Sequence, residues 1–290
     1  MAEVPVSVHP PISAVRSAVA RALAEDLEPL GDLTSALLPP GALARGVLVA
    51  RAGGVVAGRR TVVETFAQLD PAVELVWLLD DGATAAPGRR VAEIRGPAPS
   101  VLAGERTALN FLGHLSGVAT RTRAYVDAAA PAGAARIWDT RKTTPGLRAL
   151  EKAAVRAGGG ANHRGNLSEW VLLKDNHLAG LGIAEAVALA RRRWPGRTVE
   201  VEADRLGQVA EAIAAGADLI LLDNMAPAEV ARAVAERRDA HRPLLEISGG
   251  VTLDNVAAYA ATGADLISVG ALTHSAPFLD VALDAEIVVS

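Results

Sequence analysis

The sequence predicts an α/β protein, with a strand–helix repeat that carries the chemistry and a mixed α/β region ahead of it. Three observations predict this. After Pro131 the chain alternates strictly between short apolar runs and helical stretches, a pattern that calls for a parallel sheet with right-handed crossovers. The runs are RIWDT, WVLLK, TVEVE, DLILLD, LLEIS and DLISVG, and six such strands make an α/β barrel short of the usual eight. Each run also stops in a polar group: Asp139–Thr140–Arg141–Lys142, Lys174, Glu202, Asp223, Ser248–Gly249–Gly250 and Gly270. From Lys174 onward these ends are 28, 21, 25 and 22 residues apart, one βα unit each.

The elements follow in order. Residues 12–28 place Ile12, Val15, Val19, Leu23 and Leu27 at helical spacing, and PLGDLTSALLPPG breaks the chain after them. Residues 44–96 hold three strand-like runs, ARGVLVAR, VELVWLL and RRVAEIRG, parted by Gly, Pro and Asp. Residues 99–129 return to helical periodicity. Beyond Pro131, helices are predicted at 183–194, 206–216, 227–238 and 253–263, and the same exit recurs as AAGADLILLD and AATGADLISVG. The run WVLLK reads as a buried parallel strand, yet it ends in Lys174 and leads at once into Asp175, Asn176 and His177.

Composition narrows the class. A 290-residue chain that is 50% hydrophobic and 21% charged has a packed core. No uncharged apolar run approaches the ~18 residues that span a bilayer, and MAEVPVSVHPPISAV has neither the basic nor the apolar part of a secretory leader. There are no cysteines, which excludes disulfides, thiolate catalysis and Cys-ligated zinc. A net charge of −4 predicts no general affinity for nucleic acid. The expectation is a cytoplasmic enzyme without membrane or nucleic-acid partners.

Charge is distributed unevenly. Between Asp139 and His177 stand seven Lys/Arg against four acids, and the chain's three lysines, Lys142, Lys152 and Lys174, all fall there. Arg148, Lys152 and Arg156 sit at helical spacing in GLRALEKAAVRAGGG and are expected to form a solvated helix face. Arg141, Lys142 and Lys174 lie instead beside strand ends, where a parallel barrel gathers its active site.

These residue types imply a chemistry. Glu202 and Asp223 are hard oxygen ligands suited to Mg²⁺ that bridges to substrate phosphates. The backbone N–H groups of SGG and VGA, at loop-to-helix steps, suit a phosphate, although either motif alone is more often a tight turn. Arg106, Arg141 and Arg164 can grip carboxylates in bidentate fashion. A site so equipped fits a carboxylate-rich molecule and a phosphorylated one, with a divalent metal between them. A Schiff base on Lys174 is the competing chemistry, for which the surrounding cations and acids would be superfluous.

The stretch DTRKTTPGLRALEKAAVRAGGGANHRGNLSEWVLLKDNH resembles the signature of the quinolinate phosphoribosyltransferase family, the carboxylating nicotinate-nucleotide pyrophosphorylases. The likeness extends to ALAEDL and GDLTS early, GERTALNFLGHLSGVAT in the middle, then VEVE, LLDN, SGGVTLDN and SVGALTHSAP. The resemblance implies an N-terminal α/β sandwich domain over 1–115, rejoined by 276–290, and an incomplete six-stranded parallel α/β barrel over 116–275. It implies a homodimer, or a higher oligomer, whose sites borrow from the partner's N-terminal domain. Its reaction joins quinolinate to phosphoribosyl pyrophosphate and yields nicotinate mononucleotide, pyrophosphate and CO₂, a step of NAD biosynthesis. Carried over by position, the family pattern sets quinolinate against Arg141, His163, Arg164 and Lys174, with Arg106 from the partner, and Thr140 also in the binding set. Lys142, Glu202 and Asp223 would face ribose, pyrophosphate and Mg²⁺, and Ser248, Gly249, Gly250 and Gly270 the 5-phosphate. Lys142, Lys174, Glu202 and Asp223 would be catalytic.

Other residues are less determined. Glu200 and Glu246 share strand faces with Glu202 and Ser248 and are expected to point into the barrel, without an assigned role. Asp175, His177 and His274 divide evenly between supporting and structural roles, and His9, His114 and His241 are expected to be structural or superficial. Two rival readings are a paralogue acting on another aromatic acid, such as the molybdenum-associated relatives of this family, and a catalytically silent binding barrel. The full set of Arg141, Lys142, Lys174, Glu202 and Asp223 argues against silence.

Overall fold

The Val- and Leu-rich runs parted by Gly, Pro and Asp become antiparallel strands, whereas the strand–helix repeat becomes a parallel sheet. The computed structural model describes residues 7–178, 180–237 and 242–289, so His241 lies outside the described residues. The first half of the chain holds α1 (Ile12–Leu27), β1 (Leu43–Ala50), β2 (Gly54–Val55), α2 (Arg59–Leu69), β3 (Glu74–Trp77), β4 (Thr84–Ala85), β5 (Arg90–Pro97) and α3 (Ala98–Ala129). Then come β6 (Arg136–Trp138), α4 (Arg148–Ala157), β7 (Val171–Leu173), α5 (Ile183–Arg193), β8 (Val199–Ala203) and α6 (Leu206–Ala214). The last are β9 (Leu219–Asp223), α7 (Pro227–Glu236), β10 (Leu244–Ser248), α8 (Val256–Ala260), β11 (Leu266–Ser268) and, beyond a short helical turn, β12 (Val281–Val288). Two compact units result: the described residues of Met1–Arg123, Thr143–Gly159 and Leu272–Ser290 form one, and Ala124–Lys142 with Gly160–Ala271 the other. No helix among the described residues is long and apolar enough to cross a membrane.

The first unit is built on a sheet of order β12-β1-β5-β3. Ala44, Leu48 and Ala50 of β1 and Val91 and Ile94 of β5 are buried with Val62 and Phe66 of α2 and Val101, Leu109 and Leu112 of α3. The sequence pattern did not reveal α2. Its segment RRTVVETFAQL is rich in β-branched residues, which lower helix propensity by restricting χ1. Burial decides instead: Thr61, Val62, Thr65 and Phe66 are enclosed, and an aromatic side chain alone contributes about 1.5–3 kcal/mol when buried. The two threonine hydroxyls donate back to Gly58 O at 2.6 Å and Thr61 O at 2.8 Å, so they leave no orphaned donor. The tail reaches β1 across α3, because Gly117 has Pro277 O 2.0 Å from where a Cβ would stand.

Two expectations fail in this unit. Ile12, placed on the apolar stripe of α1, is 46% exposed; the packed stripe is Val15, Ala18, Val19 and Leu23. The charged face of α4 is not solvated either. Leu150 to Val155 and Ala157 are buried, including Glu151 and Lys152. Arg156 donates to Ser7 O at 2.7 Å and to His9 O at 3.2 Å, and Arg148 donates to Thr143 Oγ1 at 3.0 Å. Helical spacing reports only which side chains share a face; it is the packing against that face that makes Lys152 internal and leaves Arg148 and Arg156 half-buried. His114 is structural: its Nε2 lies 2.9 Å from the buried Glu151 carboxylate, which also accepts Thr144 N–H.

In the second unit all six expected strands form one parallel sheet of order β6-β11-β10-β9-β8-β7. The neighbours pair in register, as Ser248 with Asp223 and Ile267 with Ile137. β6 and β7 remain as the two edges, so the barrel is incomplete. The α8 helix spans only Val256–Ala260, shorter than the 253–263 expected.

Candidate active site

Parallel strands leave all their carboxyl ends on one edge, so the polar residues that end them converge. A cavity of about 370 Å³ there is lined by Thr140, Arg141, Lys142, His163, Arg164, Lys174, Glu202, Asp223 and Ser248, together with Leu172, Leu221, Glu246 and Ser268. Four of the expected site residues are not in that lining. Gly249 and Gly250 form the turn beyond Ser248, and Gly270 follows β11. Arg106 belongs to the first unit, is 69% exposed, and has the Glu105 carboxylate 4.0 Å away. A larger depression of about 1050 Å³ lies on the four-stranded sheet. Within it Arg90 pairs with Glu93 and Arg95 with Glu74, and no strand ends converge on it.

Local hydrogen bonds set each functional side chain. Asp139 is fully buried; Oδ1 accepts His163 N–H at 2.9 Å and Oδ2 accepts the Asn162 amide at 2.6 Å. One carboxylate thus ties the loop bearing Arg141 to the loop bearing His163 and Arg164. Thr140 Oγ1 accepts Lys142 N–H at 3.0 Å and tightens the turn between them. The polar quartet after WVLL has a local cause. Asp175–His177 is a short 3₁₀ turn, and His177 Nδ1 accepts Lys174 N–H at 3.2 Å while His177 N–H returns to Lys174 O at 2.9 Å. The strand therefore stops at the rim, and the Lys174 ammonium donates to Glu202.

Asn224 performs the same service for Asp223. Its amide donates to Asp223 Oδ2 at 2.8 Å and its N–H to Ser248 O at 2.8 Å, which joins the ends of β9 and β10. It does so at φ +55°, a left-handed conformation that asparagine tolerates. Gly249, at φ +90°, leaves room for it: a Cβ would stand 2.1 Å from Asn224 Oδ1. Gly249→Ala is therefore expected to cost about 1–3 kcal/mol in strain and to lower kcat/KM for the phosphorylated substrate on the order of ten- to hundred-fold by displacing Asp223 and the turn. Thermal melts and steady-state kinetics test this; an unchanged kcat/KM would refute it.

Beneath the cavity lies a buried acid pair. Glu200 and Glu246 are both fully enclosed, and His163 Nε2 sits 3.4 Å from one and 3.6 Å from the other. Burial, then the adjacent Glu200 charge, pushes Glu246 well above the ordinary carboxylate range. Burial also raises Glu200, but the hydrogen bond and charge of His163, with the Trp170 donor, outweigh it and hold Glu200 below that range. Period-two alternation from Glu202 and Ser248 foretold the inward direction of both acids. No comparable signal marked Asp139 or Asn224 as supports, although both adjoin residues of the motif.

Comparison with known proteins agrees with this geometry. Residues 32–116 match the family described as quinolinate phosphoribosyl transferase, N-terminal domain, and residues 118–284 match quinolinate phosphoribosyl transferase, C-terminal domain. A Mycobacterium leprae (strain TN) protein named nicotinate-nucleotide pyrophosphorylase (carboxylating) is 43% identical over 278 residues, 93% of this chain and 97% of that protein. A Rattus norvegicus protein of the same name is 41% identical over 253 residues, 86% of this chain and 84% of that one. The solved nicotinate-nucleotide pyrophosphorylase of Francisella tularensis has a TM-score of 0.91 at 36% identity, covering 98% of this chain and 100% of that one. The chain belongs to the quinolinate phosphoribosyl transferase family.

Proposed function

We propose that this protein converts quinolinate and phosphoribosyl pyrophosphate to nicotinate mononucleotide, pyrophosphate and CO₂, a step of NAD biosynthesis. One observation carries the reading: Arg141, Lys142, Arg164 and Lys174 share a single cavity with Glu202 and Asp223. Such a cavity suits two polyanions that must react side by side. Arg141, His163, Arg164 and Lys174 would hold the two carboxylates, and Thr140 supports the turn that aims Arg141. Ser248 and the backbone of Gly249, Gly250 and Gly270 would hold the 5-phosphate.

The chemistry follows from the charges. The pyridine nitrogen attacks the anomeric carbon as the bond to pyrophosphate breaks, so positive charge grows on the ribose and negative charge on the leaving group. Lys142 stabilises that leaving anion, and Glu202 and Asp223 offset the charge on the sugar. The ring nitrogen, now quaternised, stabilises the electron pair that develops on the adjacent carbon. Its carboxylate leaves as CO₂, and the electron pair left on carbon takes a proton. Lys174 has two duties here, since it holds a carboxylate and pairs with Glu202.

Glu202 and Asp223 fit Mg²⁺. They end neighbouring strands and border one cavity, and as two carboxylates they leave coordination positions for water and substrate phosphate. When bound, Mg²⁺ neutralises departing pyrophosphate. Turnover is therefore expected to fall to background in excess chelator and to return with added Mg²⁺; full activity in chelator would remove the metal from this reading. The defining assay follows CO₂ and nicotinate mononucleotide from quinolinate plus phosphoribosyl pyrophosphate, and absence of both products would sink the proposal.

The proposal extends to assembly. The protein would act as a homodimer in the cytoplasm, with Arg106 of each chain completing the quinolinate subsite of the other. Exposure of the Arg106 side chain supports this, since 69% of it is open to such a partner.

A further inference from the structure

Two of the chain's four tryptophans, Trp138 and Trp170, converge on His163. Trp138 ends β6 and Trp170 immediately precedes β7, the two strands left at the open edges of the parallel sheet. Their rings lie 6.3 Å apart across that opening, inclined by 44°. His163 stands edge-on to Trp138 at 5.7 Å and tilted against Trp170 at 4.9 Å.

Trp170 does more than pack. Its indole Nε1–H donates to Glu200 Oε2 at 2.8 Å, and that same oxygen is 3.4 Å from His163 Nε2. Glu246, held by the Ser268 hydroxyl at 2.5 Å, approaches the same imidazole nitrogen at 3.6 Å. Asp139 fixes the His163 backbone. His163 is thus restrained at its main chain, by two aromatic rings and at Nε2, and it still lines the cavity. Filling a gap between edge strands needs only apolar side chains, and burying carboxyls beneath it costs free energy. An indole donor joined to a buried acid at this point indicates orientation of the histidine.

We propose that Trp138 and Trp170 are positioning residues for the quinolinate subsite. From opposite edges of the open sheet they clasp His163, and Trp170, through Glu200, fixes the rotation of its ring so that one constant edge meets the aromatic dicarboxylate. This rests on the assignment of His163 to the quinolinate subsite.

The test compares Trp170→Phe, Trp170→Leu, Trp138→Phe and His163→Ala by KM for each substrate, kcat and thermal melting. Trp170→Phe keeps a ring and removes the donor, so KM for quinolinate is expected to rise about ten-fold, the order of one lost bond to a buried charged group. KM for phosphoribosyl pyrophosphate should stay within about two-fold, because that substrate does not meet His163. Trp170→Leu should exceed Trp170→Phe, and Trp138→Phe should shift the same parameter by a smaller factor. Equal rises in both KM values, or a fall in kcat that tracks melting, would mean a structural role and overturn the clasp. If His163→Ala raises KM for quinolinate while no tryptophan variant does, the clasp is wrong and the subsite assignment stands. An unchanged KM for quinolinate in His163→Ala would refute the subsite assignment and the clasp with it.

Discussion

Homodimers of Arg106→Ala and homodimers of Lys174→Ala are each expected to turn over quinolinate at under about a hundredth of the wild-type rate, since each loses a cation that balances a buried carboxylate. Mixing the two and allowing subunits to re-associate should restore activity. Lys174 lines the cavity within its own parallel sheet, whereas Arg106 is proposed to serve the partner. A mixed dimer then has one site with both residues: the barrel of the Arg106→Ala chain facing the N-terminal unit of the Lys174→Ala chain. Random re-association makes about half the dimers mixed, so about a quarter of the sites and of the wild-type activity should return. Verified subunit exchange without recovery would defeat the borrowed arginine. Substantial activity in Arg106→Ala homodimers would do so as well, and would leave Arg106 as a surface partner of Glu105.

Nicotinate is expected to be rejected by a factor on the order of 10⁴ in kcat/KM relative to quinolinate. It lacks the carboxylate beside the ring nitrogen, so cations assembled for two carboxylates would be left with one. Arg164 makes that costly, because it is 7% exposed within the cavity lining and a missing carboxylate would leave its charge without its counter-ion. Competition assays with both acids, scored by CO₂ release and by mononucleotide formation, measure the ratio. Comparable turnover of the two acids would favour a relative that acts on a different aromatic acid.

Legibility divided along physical lines. Strand ends were readable because a parallel repeat repeats its phase: Lys174, Glu202, Asp223 and Ser248 each close an apolar run, and periodicity alone aligns them. Charge at helical spacing was misleading in Arg148, Lys152 and Arg156, because a helix face is polar or enclosed according to what packs upon it, and α4 buries Lys152 and half-buries the two arginines. The α2 helix escaped notice for the complementary reason. Its β-branched residues argue locally against a helix, and only the enclosure of Val62 and Phe66 overrides them.

By itself the sequence determined the six-stranded parallel repeat, the order of the polar groups along it and the family motif, since each depends on spacing along one chain. Tertiary structure alone decided which groups support the others. Asp139 bridging two loops, Asn224 joining the end of β9 to Ser248 at the end of β10, and two tryptophans meeting at His163 from opposite edges of an open sheet all join residues whose separation in sequence carries no period. The physical reason is range. Periodicity records the geometry of single elements, whereas a hydrogen bond or ring contact between elements exists only once the sheet has brought its ends together.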